Sequence, residues 1–172
     1  MASIINVDQI RNAAGTNGLT LDASTGKASF PNGATLPAGS VVQVVSNFIT
    51  TDVNTASTSF VSTGLSASIT PASTSSKVWA IASSPSWYVT TGNAYATIYR
   101  DSTNLATGSA SALMMVYDNA RYAPSTMQVL DAPSSTSSLA YTVYFRSNNG
   151  SSSYISYPSY GQFTITLMEI AQ

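Results

Sequence analysis

Residues 162–170 read Gln-Phe-Thr-Ile-Thr-Leu-Met-Glu-Ile, an alternation of apolar and hydroxyl side chains. That period of two belongs to a β-strand with one face on a core and the other toward water. No stretch of the chain combines a 3.6-residue apolar period with capping residues, so long helices are not expected. The alternation changes at its end, where Met168 and Ile170 occupy the face that had carried Thr164 and Thr166. Apolar cover is therefore predicted on both sides of this strand. So close to Gln172 it would fray unless held along both edges, and the pattern predicts a central strand flanked by residues 41–48 and 141–146.

From Val41 onward, segments of this kind recur. Val42, Val44 and Phe48 alternate with Gln43 and Asn47, and Leu65, Ala67 and Ile69 alternate with Ser66 and Ser68 until Pro71 stops the run. Residues 77–82 are a compact apolar run. Residues 86–100 carry Trp87, Val89, Tyr95, Ile98 and Tyr99, with a bend expected at Gly92-Asn93. Residues 105–117 read as a strand covered on both faces, Leu113, Met115 and Tyr117 opposing Met114 and Val116. Met127, Val129 and Leu130 mark another, and Tyr141, Val143 and Phe145 alternate with Thr142, Tyr144 and Arg146 before the Asn149-Gly150 turn signal. About eight strands with turn-rich connections predict an all-β fold, an antiparallel β-sandwich knob of jelly-roll type spanning residues 41–172.

Residues 1–40 differ. Ile4, Ile5, Val7 and Ile10 form a short apolar cluster, residues 12–18 are small and turn-forming, and Leu19 and Leu21 lead through Ser24-Thr25-Gly26 to Ala28 and Phe30 as a hairpin. Pro31-Asn32-Gly33 and Leu36-Pro37-Ala38-Gly39 read as a linker. So few apolar groups cannot offset roughly 1–2 kcal/mol of backbone entropy per residue. The segment is expected to be an extended arm with a hairpin, ordered against another chain or its own symmetry mates. Ile4, Ile5, Val7 and Ile10 are its candidate attachment residues.

Composition excludes more chemistry than it suggests. Histidine and cysteine are absent, which removes the commonest general base and metal ligand together with thiolates and disulfides. The seven carboxylates fall mostly in predicted turns or at strand ends, and neither a Gly-x-Ser-x-Gly elbow nor a phosphate loop occurs. No enzymatic activity, metal or cofactor is expected. Six basic residues are scattered from Arg11 to Arg146 in a chain of net charge −1, so nucleic acid finds no basic stripe. No apolar run approaches the roughly 20 residues of a membrane span, and membrane is not an expected partner.

The aromatic content is what suggests binding. Ten tyrosines and two tryptophans are many for 172 residues, and Tyr154, Tyr157 and Tyr160 fall in a Ser-rich stretch that reads as an exposed loop. Such rings stack on the C–H face of a sugar while neighbouring hydroxyls and amides meet its hydroxyls. They equally pack across subunit interfaces or along sheets.

Two regions resemble a known family. The opening Ile5-Asn6-Val7-Asp8-Gln9-Ile10, Gly15, Gly18-Leu19-Thr20-Leu21-Asp22, Gly26 and Phe30-Pro31-Asn32 resembles the N-terminal segment of small virion-surface proteins of tailed bacteriophages, cyanophages especially. Val41-Val42-Gln43-Val44-Val45, Ser57-Thr58-Ser59-Phe60-Val61, Thr63-Gly64-Leu65, Ile69-Thr70-Pro71, Ser75-Ser76-Lys77-Val78, Tyr99-Arg100-Asp101 and residues 164–170 are similar to the β-rich knobs of such proteins. The resemblance implies a homotrimeric fibre or capsid decoration protein, made in the host cytoplasm and resident in the virion. Its implied partners are its own copies and a phage capsid or tail protein. The expectation is a homotrimeric capsid decoration (cement or head-fibre) protein attached through its N-terminal arm. The alternative is a short tail or neck fibre whose knob binds host-surface glycans. The resemblance carries over no binding residue.

Overall fold

The computed structural model describes residues 9–11, 14–15, 17–21, 24–25, 28–29, 36–117, 122–156 and 161–172. Every regular element among them is a strand and every pairing is antiparallel. The chain divides into two compact units, Met1–Leu36 and Pro37–Gln172. In the first, β1 (Gln9–Arg11), β2 (Asn17–Leu21) and β3 (Ala28–Ser29) form a three-stranded sheet in that order. Ile10 stands opposite Leu19 and remains 54% exposed. Ile4, Ile5 and Val7 lie outside the described residues.

The second unit contains β4 (Val41–Ile49), β5 (Val53–Thr55), β6 (Val61–Ile69), β7 (Lys77–Val89), β8 (Ala94–Arg100) and β9 (Thr103–Asn104). They are followed by β10 (Met114–Val116), β11 (Ala123–Asp131), β12 (Leu139–Ser147), β13 (Ser153–Ser156) and β14 (Phe163–Ile170). One sheet runs β4-β14-β7-β11, extended by β13 and β5; the other runs β6-β12-β8-β10, with β9 also on β8. Their inner faces share one core, in which Phe163, Ile165 and Leu167 of β14 and Tyr141, Val143 and Phe145 of β12 are buried. Alanines on β7 and β8 (Ala80, Ala82, Ala94, Ala96) join them, and small residues among large ones let the two layers reach close packing.

The last strand is central, but its neighbours are β4 and β7. Residues 141–146 belong instead to β12, which pairs with β6 and β8. The alternation of β12 matches that of β14 because both are inner strands, one in each sheet. A shared core face was thus mistaken for a shared edge.

The two segments 77–82 and 86–100 also regroup, since β7 continues to Val89 through Pro85. A proline lacks the N–H that an interior strand must donate. Here β14 pairs only residues 77–83 of β7, β13 pairs Tyr88 and Val89, and the β11 register shifts between Ala123 and Ser125. Neither neighbour asks Pro85 for a hydrogen bond. Residues 105–117 are not one strand: between β9 and β10 the chain forms a loop, held partly by the Asn104 side chain. Pro37 to Ser40 is no free linker, because Gly39 N–H donates to the Ala171 carbonyl and Ala171 N–H to that of Ser40, stitching the entry of β4 to the end of β14.

The expected bend at Gly92-Asn93 is the β7–β8 turn, and it locks onto the Asn148-Asn149-Gly150 turn. Asn93 N–H donates to Asn148 Oδ1 at 2.8 Å and Asn148 N–H to the Asn93 carbonyl at 2.9 Å. Gly92 has φ +78°, and a Cβ there would stand 2.5 Å from Asn148 Oδ1 and from Asn149 Nδ2. The left-handed backbone disfavours alanine by about 1–2 kcal/mol, and shifting Asn148 sacrifices a hydrogen bond worth about 1 kcal/mol. Gly92→Ala should therefore lower the unfolding free energy by about 2–3 kcal/mol in a urea titration, with an unchanged m-value.

Candidate functional site

On the outer face of the β6-β12-β8 sheet, period two brings Tyr144 and Arg146 of β12 beside Tyr95 and Tyr99 of β8. Arg146 stands opposite Tyr95, and Tyr99 opposite Thr142, two register positions from Tyr144 on the same face. The Tyr99 and Tyr144 ring centroids are 4.2 Å apart, and Phe60 meets the edge of Tyr99 at 6.3 Å. The Arg146 guanidinium carbon lies 4.4 Å from the Tyr95 ring centre and 5.2 Å from that of Phe60. Cation–π contact on two rings holds a long side chain that would otherwise swing freely.

Two loops raise this platform into a groove of about 630 Å³, within the roughly 300–1,000 Å³ of small-ligand sites. The first wall is the turn before β6, carrying Thr58 and Ser59. Ser57 Oγ donates to the Ser59 carbonyl at 2.7 Å, while Ser147 N–H donates to the Ser57 carbonyl at 2.8 Å and ties the turn to the end of β12. The second wall carries Ser109 and Ser111. Asn104 organises it: its Nδ2 donates to the Ser111 carbonyl at 2.8 Å, and its Oδ1 accepts from Ala106 N–H at 3.0 Å and from Thr97 Oγ1 at 2.6 Å. Among the described residues, the groove is thus lined by hydroxyls, aromatic rings and one cation, without a carboxylate.

No protein-family model matches the chain, and no curated protein matches it. The site is read from its geometry alone.

The structure places Tyr154 elsewhere, on β13 rather than in an exposed loop. Its ring lies 5.9 Å from Tyr88, which stacks on Tyr122 at 5.5 Å. This is the second use expected of such rings, packing along a sheet. Tyr157 and Tyr160 lie outside the described residues. The groove residues were missed although one signal was available: Tyr95 and Tyr99, four apart on one strand, share a face, as do Tyr144 and Arg146. The contributions of Phe60 and Asn104 carry no local mark, because loops closing over a sheet bring them there.

The outer face of the other sheet is apolar at one end. The register aligns Leu130 with Trp79, Trp79 with Met168 and Met168 with Val44, a row crossing four strands, and Ile170 stands beside Val41 in the next. Val44 is 57%, Leu130 56% and Trp79 37% exposed. With Val41 and Val42 they leave on the order of 500 Å² of apolar side chain open, near the top of the roughly 300–600 Å² carried by the largest patches on monomers.

Three ionisable groups meet inside the fold. Arg100 Nη1 of β8 donates to both oxygens of Asp131 on β11 at 2.7 Å, and the Tyr141 hydroxyl of β12 donates to Asp131 Oδ2 at 2.7 Å. Burial, reinforced by the adjacent carboxylate, pushes the Tyr141 pKa well above its ordinary value. The hydroxyl therefore stays a donor. Among the described residues, no three His, Cys, Asp or Glu side chains gather where they could hold a metal ion.

Proposed function

We propose that this chain is a structural protein of a tailed-phage virion surface, a homotrimeric capsid decoration protein that attaches through its N-terminal unit and displays the sandwich as a knob. The single observation that supports assembly most directly is the apolar row Leu130–Trp79–Met168–Val44 on the outside of a sheet. Among the described residues that share this face, only Lys77 is charged. Its exposed apolar area is more than half of the roughly 800 Å² that each partner gives to a standard interface. A second copy of the chain is the occupant that matches it in chemistry. The count of three rests on the likeness of the sequence motifs to trimeric virion proteins.

The strand order supports a finer reading of the fold. Along β4, β6, β7, β8, β10, β11, β12 and β14, every step except β8 to β10 crosses between the sheets, as in a jelly roll of two interlocked Greek keys.

Sedimentation equilibrium of the full chain at micromolar concentration tests assembly. The unaltered protein should sediment as a trimer and the Val44→Glu, Trp79→Glu double variant as a monomer with little change in unfolding midpoint. An unaltered chain that stays monomeric would sink the proposal. Decoration itself predicts that particles lacking the protein break at lower temperature, and equal breakage temperatures would count against it. The aromatic groove favours a second reading, a short tail or neck fibre whose knob binds host glycans. A glycan array probed with the assembled protein tests this second reading, and silence on the array would count against it.

A further inference from the structure

We propose that the groove over β8 and β12 is a site for an acidic saccharide, with Arg146 receiving the sugar carboxylate and Tyr99 offering its ring to the sugar. The inference is independent of any virion assignment. It rests first on the state of Arg146. This residue is fixed between the Tyr95 and Phe60 rings at 4.4 and 5.2 Å, yet among the described residues its guanidinium meets no carboxylate; the ion pair found there belongs to Arg100 and Asp131. A guanidinium held by its faces keeps its N–H edge available, and that planar edge matches the two oxygens of a carboxylate.

The second support is the character of the walls. Hydroxyls of Ser59 and Ser111 and the rings of Tyr99 and Phe60 surround Arg146, and among the described residues no acidic side chain lines the groove. Rings present apolar faces to the C–H side of a pyranose and hydroxyls bond to its edge, while the uncompensated charge selects an anionic sugar over a neutral one. A polynucleotide is the poorer match, because one cation in a chain of net charge −1 neutralises too few phosphates.

The decisive probe is a galacturonic acid tetrasaccharide compared with its methyl ester, which keeps the sugar and deletes the charge. Titration calorimetry on the full protein should show the acid binding at least tenfold more tightly than the ester, with the difference shrinking between 50 and 300 mM salt. Arg146→Gln should remove that difference by weakening the acid far more than the ester. Arg146→Lys should restore only part of it, since an ammonium lacks the planar edge. Tyr99→Ala should weaken both ligands. Equal affinity for acid and ester, no binding of either, or an oligothymidylate bound as tightly as the acid would each overturn the proposal. Should Arg146→Gln fail to fold, the acid-to-ester ratio on the unaltered protein still decides.

Discussion

Asp131→Ala should lower the unfolding free energy by about 3 kcal/mol, at the lower end of the roughly 3–5 kcal/mol for breaking a buried ion pair by removing one partner. Asp131 is the last residue of β11 in one sheet, while Arg100 and Tyr141 stand opposite each other on β8 and β12 of the other. Their three hydrogen bonds to its carboxylate are therefore a polar clasp between the two layers. Removing the carboxylate leaves a buried hydroxyl and a cation without acceptors. The Arg100 side chain keeps 22% exposure, so water screens part of the loss, which places the figure low in the range. Tyr141→Phe deletes only a donor and should cost about 1 kcal/mol. Urea titrations of the two single variants and the double variant measure the coupling, and a loss under about 1 kcal/mol for Asp131→Ala would mean that the clasp is already solvent-screened.

A second large effect is expected at Glu169, the one carboxylate on the core face of β14 and fully buried. Gln43 Nε2 donates to its Oε2 at 2.6 Å and to the Thr70 carbonyl at 2.7 Å, and Ala72 N–H donates to its Oε1 at 2.8 Å. Through these bonds Glu169 fastens the loop between β6 and β7, which crosses from one sheet to the other, to the end of the central strand. Burial works against its charge, but hydrogen bonds from Gln43, Ser76 and the backbone of Ala72 and Ser73 outweigh it, so its pKa falls below the ordinary carboxylate value. Glu169→Ala strands those donors and should cost about 2–4 kcal/mol.

The same depressed pKa fixes the sign of a pH effect. The folded state holds the ionised form more strongly than the unfolded chain does, so the contribution is complete above the unfolded value near 4.5 and is lost as pH falls through the folded value. The unaltered protein should thus lose more stability between pH 6 and pH 3 than Glu169→Gln, whose amide does not titrate. Parallel stability curves for the two would show that Glu169 contributes nothing to acid sensitivity.

Much of the architecture could be read locally. Alternation along 41–48, 141–146 and 162–170 marked real strands. The apolar cover expected over Met168 and Ile170 is not supplied by the described residues; their face is shared with exposed Trp79, Val44 and Leu130. The partnership of strands could not be read in this way. Residues 141–146 and 162–170 carry the same pattern, and nothing in it says whether they share an edge or face each other across a core. Nor could the continuity of β7 through Pro85 be read locally, because the gaps in its neighbours that make the proline harmless come from elsewhere in the chain.

The candidate site divides along the same line. Spacing places Tyr144 and Arg146 on one side of their strand, whereas the serine-rich surroundings of Tyr154, Tyr157 and Tyr160 suggest an exposed loop and Tyr154 stands on β13 instead. What the sequence determined alone is the class of fold and the inner and outer face of the strands whose alternation is regular, since side-chain direction in an extended chain is set by the parity of position. Which strands adjoin, where the cross-sheet clasp forms, and how Phe60 and Asn104 turn a flat sheet into a groove were decided by tertiary structure. The clasp joins residues 10 and 31 positions apart and Phe60 meets side chains of distant strands, and no local period encodes such a meeting.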